Sequence, residues 1–314
     1  MLGVSTTTSH QFWDRFGGGL CEDQASEAIR LTFHDGIGRS AALQAAGMFG
    51  GGGADGSIIQ FASVELADPA NAGLEDTVYA LKHFADAHNV SYGDMIQFAG
   101  AVALSNCPGS PRLPFYTRRP AAVAPAPPNL IPAPTDPVER VLARMEDAGF
   151  TAEDTVALLA AHSVGTQKTI DPTISNTPFD TTPRVFDSQY YLEILLRGTG
   201  YPGRGRSPAE VKSPLKSEFR LTSDAAIARH PKTACAWQSL IGDQDRMRAS
   251  FSDAMMKLAN QGYRNLVDCS SVIPSSRVWD RAPAYPLGKG VADIEQSCPN
   301  TPFPRISSQP HAVP

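Results

Sequence analysis

The sequence predicts a mostly α-helical protein threaded by long irregular loops, on three observations. Its apolar periodicity is helical almost wherever it can be read, strand-like alternation is hard to find, and 26 glycines and 26 prolines punctuate the helical stretches. The first helix is read in "CEDQASEAIRLTFHD", with Ala28, Ile29, Leu31, Thr32 and Phe33 set around Arg30 and a stop near Gly36. "EDTVYALKHFADAH" keeps Val78, Leu81, Phe84 and Ala85 on one stripe. "SYGDMIQFAGAVALSNCPG" opens with Ser91 and Asp94 at capping-box spacing and closes at Pro108-Gly109. Residues 108–137 form a Pro-rich connector that cannot be helical. Helices resume at "DPVERVLARMEDAG" and at "TAEDTVALLAAHS", the latter with a second capping pair, Thr151 and Asp154. "SQYYLEILLR", "SDAAIARH" and "GDQDRMRASFSDAMMKLANQG" complete the set, and no internal repeat is visible. The expected organisation is one domain over residues 1–302, with a front half to about 134 and a back half from about 135. A Pro-rich tail is expected at 303–314.

A net charge of −5 gives no reason to expect nucleic acid or an anionic membrane as partner. No apolar run approaches the roughly 18 residues of a transmembrane helix. The opening "MLGVSTTTSHQFWDRF" lacks a basic stretch followed by an apolar one, so no secretory signal is read there. Five cysteines, at 21, 107, 235, 269 and 298, lie far apart without a C-x-x-C pair, which suits disulfides in an exported protein and leaves one thiol over. Spacing alone selects no pairing. Asn89-Val90-Ser91 matches an N-glycosylation acceptor, weak support for export because chance supplies the pattern often.

Two stretches carry chemistry. In "AIRLTFHDGIG", Arg30, Phe33 and His34 stand at i, i+3 and i+4, so a cation, a phenyl ring and an imidazole share one helix face. In "VALLAAHSVGTQ", His162 ends an almost wholly apolar run. Alone it would read as a core histidine bonded to a carbonyl. With His34 beside a cation in the front half, and Asp224 in the otherwise apolar "LTSDAAIAR", the pattern fits a haem held between the halves. One imidazole binds iron and is made more electron-donating by an aspartate on its other nitrogen. The other moves a proton between the oxygens of hydrogen peroxide while the arginine stabilises developing negative charge.

"IRLTFHD", "FGGGGADGSI", "ALSNCPGSPR", "LLAAHSVG", "FDTTPRVFDSQ", "EFRLTSDAAIAR", "TACAWQS" and "DCSSVIP" together resemble the class II secretory fungal peroxidases of the plant-type haem peroxidase superfamily, in order from about residue 14 to 303. The resemblance implies the plant-type peroxidase fold, one haem b between distal and proximal helical halves, and secretion as a monomer. It places Arg30, Phe33 and His34 at the distal catalytic positions, and Glu65 and Asn71 of "VELADPANAG" as the pair that orients the distal imidazole. His162 becomes the iron ligand and Asp224 its partner. It also implies two Ca²⁺ sites: a distal one at Asp35, Gly53, Asp55 and Ser57, and a proximal one at Ser163, Asp180, Thr182, Val185 and Asp187. Carboxylates mixed with hydroxyls and carbonyls suit this hard cation, though the same residue types also favour metal-free turns. The implied disulfides are Cys21–Cys107 and Cys235–Cys298. Cys269 would pair with an N-terminal cysteine that this chain lacks, so the N-terminus reads as truncated.

Family members differ in how electrons enter. Asp23 and Glu27 match two of three manganese-binding carboxylates, but Lys168 occupies the third position, so only weak Mn²⁺ binding is expected. The tryptophan that serves lignin-degrading and versatile members is replaced by Ala157. Trp237 reads as core, and Trp13, Trp279, Tyr190 and Tyr191 read first as packing rather than as electron relays. The expected activity is a generic low-redox-potential peroxidase, similar to the inky-cap mushroom type. It takes two electrons from ferric haem with peroxide and returns them singly from phenols or dyes. Its rivals are a short-type manganese peroxidase, a non-catalytic haem- or calcium-binding homologue, and the intracellular relatives, which carry tryptophan where Phe33 stands.

Overall fold

The computed structural model describes residues 20–306 apart from residue 297. Trp13 and the N-terminal segment read as truncated lie outside the described residues. The front half contains α1 (Asp23–Gly36), the single-turn helices α2 (Ala41–Ala45), α3 (Ser57–Gln60) and α4 (Ala62–Glu65), then α5 (Glu75–His88) and α6 (Tyr92–Ser105). The back half contains α7 (Val138–Asp147), α8 (Ala152–Leu158), α9 (Gln189–Leu195), α10 (Thr222–Ile227), α11 (Ala234–Ser239) and α12 (Gln244–Ala259). Among the described residues three antiparallel two-residue ladders stitch the loops: Tyr116–Thr117 with Val267–Asp268, Thr166–Gln167 with Thr177–Pro178, and Glu210–Val211 with Arg220–Leu221. The first lies partly in the Pro-rich connector, which is free of helix as expected.

The α1–α6 crossing sets the geometry of the front half. α6 is buried from Gly93 to Ser105, and α1 buries Ala25, Ala28, Ile29, Leu31 and Thr32. A Cβ on Gly100 would sit 2.1 Å from Thr32 Oγ1, so only glycine admits this close approach. With that face of α1 committed to the core, the stripe Asp23, Glu27, Arg30, His34 is left on the opposite side. Cys21–Cys107 joins the start of α1 to the end of α6, and Cys235–Cys298 joins α11 to the C-terminal segment. Closing loops of 86 and 63 residues contributes about 4–5 kcal/mol each in the chain-entropy account. Cys269 remains a free, half-buried thiol, with Thr117 Oγ1 3.5 Å from its sulfur.

Three sequence expectations change. Thr151 and Asp154 form a full capping box, but Ser91 and Asp94 form only half of one. The Asp94 carboxylate instead accepts from the backbone N–H groups of Arg118 and Arg119 and from the Arg119 guanidinium, because a buried cation is the stronger partner. The helix read through residue 163 is α-helical only to Leu158 and then tightens into a 3₁₀ segment, Leu159–Val164, that carries His162. Phe303 and Ile306, read as part of a Pro-rich tail, pack against the core, and residues 307–314 of that tail lie outside the described residues.

Candidate active site

α1 presents Arg30, Phe33 and His34 as partly exposed groups in an otherwise buried region, and the segment Leu159–Val164 packs alongside it. His34 Nδ1 lies 2.8 Å from Asn71 Oδ1, and Arg30 Nε donates to His34 Nε2 at 3.2 Å. An amide oxygen can only accept and a guanidinium can only donate. These two contacts therefore assign the proton to Nδ1 and the lone pair to Nε2. Burial first, and the charge of Arg30 second, push the imidazole pKa down to about 3 against the hydrogen bond that Nδ1–H donates to Asn71. His34 is accordingly neutral around pH 7.

Arg30 is aimed by main-chain oxygens: Nη1 donates to Ala72 at 3.2 Å and Nη2 to Ala70 at 2.9 Å. Both carbonyls belong to the turn following the 3₁₀ segment Pro69–Asn71 or to that segment itself, which Asp68 caps through the Ala70 N–H. One short loop thus sets both the cation and the imidazole. Asn71 Nδ2 donates to the backbone carbonyl of Glu65 at 2.9 Å. This refines the expected Glu65–Asn71 pair: the main-chain oxygen of Glu65 does the orienting, and its carboxylate accepts from the Ala126 N–H at 3.0 Å. Burial raises that carboxyl to about 7.

On the Leu159–Val164 segment, His162 Nδ1 and Asp224 Oδ2 are 2.8 Å apart. Asp224 is 1% exposed, whereas the His162 side chain is 30% exposed. Nδ1 is engaged, so Nε2 is the nitrogen left for a ligand. Phe179 lies against the His162 ring with centroids 5.1 Å apart. Sequence reading missed two further Asp224 contacts: Ser223 Oγ donates to Oδ1 at 3.1 Å, and Tyr190 Oη donates to Oδ2 at 2.7 Å. Tyr190 sits in an apolar helical run 34 residues before Asp224, and no local spacing links the two.

The oxygen-rich clusters carry unmet valence. Asp35 Oδ1, Ser163 Oγ and Asp180 Oδ2 are buried without a hydrogen-bond partner. Gly53 takes a left-handed φ of +78° and Asp55 Oδ1 accepts from the Ser57 N–H, folding the distal loop back on itself. In the proximal loop Asp180 accepts from the Thr182 N–H, and Thr182 Oγ1 donates to Asp187 Oδ1 at 3.0 Å. Val185 is fully buried, its N–H bonded to the Thr182 carbonyl. Burial, and then carboxylate neighbours, raise Asp35 and Asp180 well above the carboxylate range, and burial lifts Asp187 to about 7.

At the rim, Lys168 Nζ pairs with Glu27 and stands 3.9 Å from Asp23 Oδ2. An ammonium therefore occupies the space between the two acids matched to manganese ligands. Among the described residues no group of three or more His, Cys, Asp or Glu side chains converges to hold a metal. Ala157 is buried, as is Trp237, whose Nε1 donates to the Tyr191 carbonyl. Tyr190 and Tyr191 are fully buried as well, so neither offers a surface route for electrons. Trp279 is half-buried, with Arg281 over its ring at 4.9 Å.

Comparison with known proteins identifies the family. The family described as Peroxidase matches residues 12–243, and the fungal peroxidase extension region matches 246–314. The chain is 64% identical over 306 residues to the low-redox potential peroxidase of Taiwanofungus camphoratus, covering 98% of this chain and 91% of that one. It is 50% identical over 301 residues to the peroxidases of Arthromyces ramosus and Coprinopsis cinerea, covering 95% of this chain and 83% of each relative. With its helical fold, its paired histidines and these matches, the chain belongs to the haem peroxidase family with the fungal extension, oxidoreductases that act on hydrogen peroxide.

Proposed function

We propose that this peroxidase binds one haem b at His162, reduces hydrogen peroxide at His34 and Arg30, and oxidises small phenols or dyes at the haem edge. One observation carries the reading: both histidines have Nδ1 engaged, His34 by a neutral amide and His162 by a carboxylate. A neutral partner leaves His34 able to take up and release a proton, while a carboxylate makes His162 strongly electron-donating toward a metal. When bound, haem supplies the iron at which the O–O bond is cleaved and through which electrons return. Peroxide entering beside His34 displaces the Arg30 Nε contact, and Nε2 accepts the proton from one peroxide oxygen. His34 then delivers that proton to the other oxygen, which leaves as water. Arg30 stabilises the negative charge on the departing oxygen. Asn71 holds Nδ1–H so that Nε2 stays the reactive nitrogen, and Phe33, its ring 6.1 Å from that of His34, would narrow the space peroxide enters.

We assign Ca²⁺ to the distal cluster of Asp35, Gly53, Asp55 and Ser57 and to the proximal cluster of Ser163, Asp180, Thr182, Val185 and Asp187. Orphaned, like-charged oxygens in each are what a hard cation satisfies. Each ion would brace the segment bearing an adjacent histidine. Chelation is expected to lower stability by about 2.7 kcal/mol per site when free calcium stands 100-fold above its dissociation constant. Calorimetry should record this as a fall of several degrees in Tm, reversed by added calcium; an unchanged Tm would remove both sites.

Lys168 supports phenol oxidation over manganese oxidation, and Ala157 supports it over oxidation of non-phenolic aromatics. The haem-loaded protein should turn over a phenol quickly, a non-phenolic aromatic alcohol poorly and Mn²⁺ without saturation. Preferred oxidation of Mn²⁺ would overturn the subtype. Lys168→Asp removes the ammonium and completes three carboxylates, so saturable Mn²⁺ oxidation is expected to rise at least tenfold and to vanish again with Glu27→Ala. Two disulfides support an oxidising compartment, and we infer an extracellular, monomeric enzyme.

A further inference from the structure

We propose that the Tyr190 hydroxyl tunes the iron-binding imidazole by sharing with it a single carboxylate oxygen of Asp224. The inference rests on His162 being the haem ligand. Asp224 Oδ2 lies 2.8 Å from His162 Nδ1 and accepts from Tyr190 Oη at 2.7 Å, while Oδ1 accepts from Ser223 Oγ at 3.1 Å. The oxygen that draws on the imidazole N–H is thus the one that also receives the shortest competing donor. Tyr190 Oη stands 3.4 Å from His162 Nδ1, so the three groups form one closed triangle.

The physics fixes the direction. A carboxylate that accepts strongly from Nδ1–H gives the imidazole anionic character and favours ferric over ferrous iron. A phenol hydroxyl, with an ordinary pKa near 10, is a protonated donor at neutral pH. Its hydrogen bond withdraws charge from Oδ2, weakens the pull on Nδ1–H and raises the reduction potential above that of the same site without it. Solvent does not dilute the effect, because Tyr190 is 0% and Asp224 1% exposed. The Tyr190 ring is held independently of its hydroxyl, with centroids 5.5 Å from Trp237, 5.3 Å from Tyr191 and 5.8 Å from His162. Removing the oxygen alone should leave the ring in place.

Tyr190→Phe in the haem-loaded protein tests this, with Tyr191→Phe as control. The control deletes an equally buried hydroxyl that donates to the Val156 carbonyl and not to Asp224. Spectroelectrochemical titration should show the ferric/ferrous equilibrium of Tyr190→Phe shifted toward ferric by about tenfold, which is about 59 mV for a one-electron couple. Tyr191→Phe should leave it unmoved. Incorporating 3-fluorotyrosine at 190, a stronger donor of almost the same shape, should move the potential upward and covers the case in which the phenylalanine variant folds poorly. A Tyr190→Phe potential matching that of Tyr191→Phe, or lying above wild type, overturns the proposal. The ligand assignment is read separately: His162→Ala should abolish the wild-type haem spectrum. If that spectrum survives, the fault lies with the ligand and not with Tyr190.

Discussion

His34→Leu is expected to keep its haem and to lose about 10⁴-fold in its second-order rate constant with hydrogen peroxide. General acid–base transfer by a positioned imidazole contributes typically 10²–10⁴-fold, and here the same ring also positions the arginine. Arg30 Nε donates to His34 Nε2 at 3.2 Å, so deleting the imidazole releases one of the three contacts that aim the guanidinium. The upper end of the range follows, roughly 5.5 kcal/mol of barrier at 1.36 kcal/mol per tenfold. Haem is retained because its proposed ligand, His162, belongs to another element with its own partner, Asp224. Stopped-flow mixing with peroxide measures the constant, and a loss smaller than about 100-fold would contradict the assigned role.

Asp94→Ala should be the most destabilising single change outside the haem site, at about 3–5 kcal/mol. The Arg119 and Asp94 side chains are 0% and 2% exposed, with Nη1 to Oδ1 at 2.8 Å. The carboxylate also accepts from the backbone N–H groups of Arg118 and Arg119, at 2.8 and 3.2 Å. Arg119 goes on to donate to the carbonyls of Tyr116 and, at 2.8 Å, of Ala259. One ion pair therefore ties the Pro-rich connector to α6 and to the end of α12. Without Asp94 the guanidinium stays buried with its charge uncompensated, an expense that burial already signals by depressing its pKa. Urea unfolding should show a lower midpoint at unchanged slope. The double variant Asp94→Leu, Arg119→Met should regain most of the loss, because neutralising both partners removes the stranded charge. A loss below 1 kcal/mol in the single variant would show that water reaches the site.

Much of this was legible in the chain. α1, α5, α6 and α12 follow runs whose apolar residues repeat at helical spacing, and packing against neighbours then preserves them. Arg30, Phe33 and His34 share a face because three- and four-residue offsets do so in any α-helix. The 3₁₀ tightening at His162 was not legible. Leu159, Ala160 and Ala161 are good helix formers, and Ala160, Ser163 and Val164 are buried in a segment that packs against both α9 and α1. Asp94 misled for a related reason. Its spacing from Ser91 matches a capping box, yet a cation 25 residues away in sequence took the carboxylate.

By itself the chain determined which side chains are available and which helix face each one leaves by, since both follow from residue type and local periodicity. Only the tertiary structure decided which oxygen each donor meets. Asn71 takes the main-chain oxygen of Glu65 and not its carboxylate, and Asp224 serves both His162 and Tyr190, which precede it by 62 and 34 residues. Hydrogen bonding acts over about 3 Å, so partner choice depends on how distant segments pack, and helical periodicity carries no record of that.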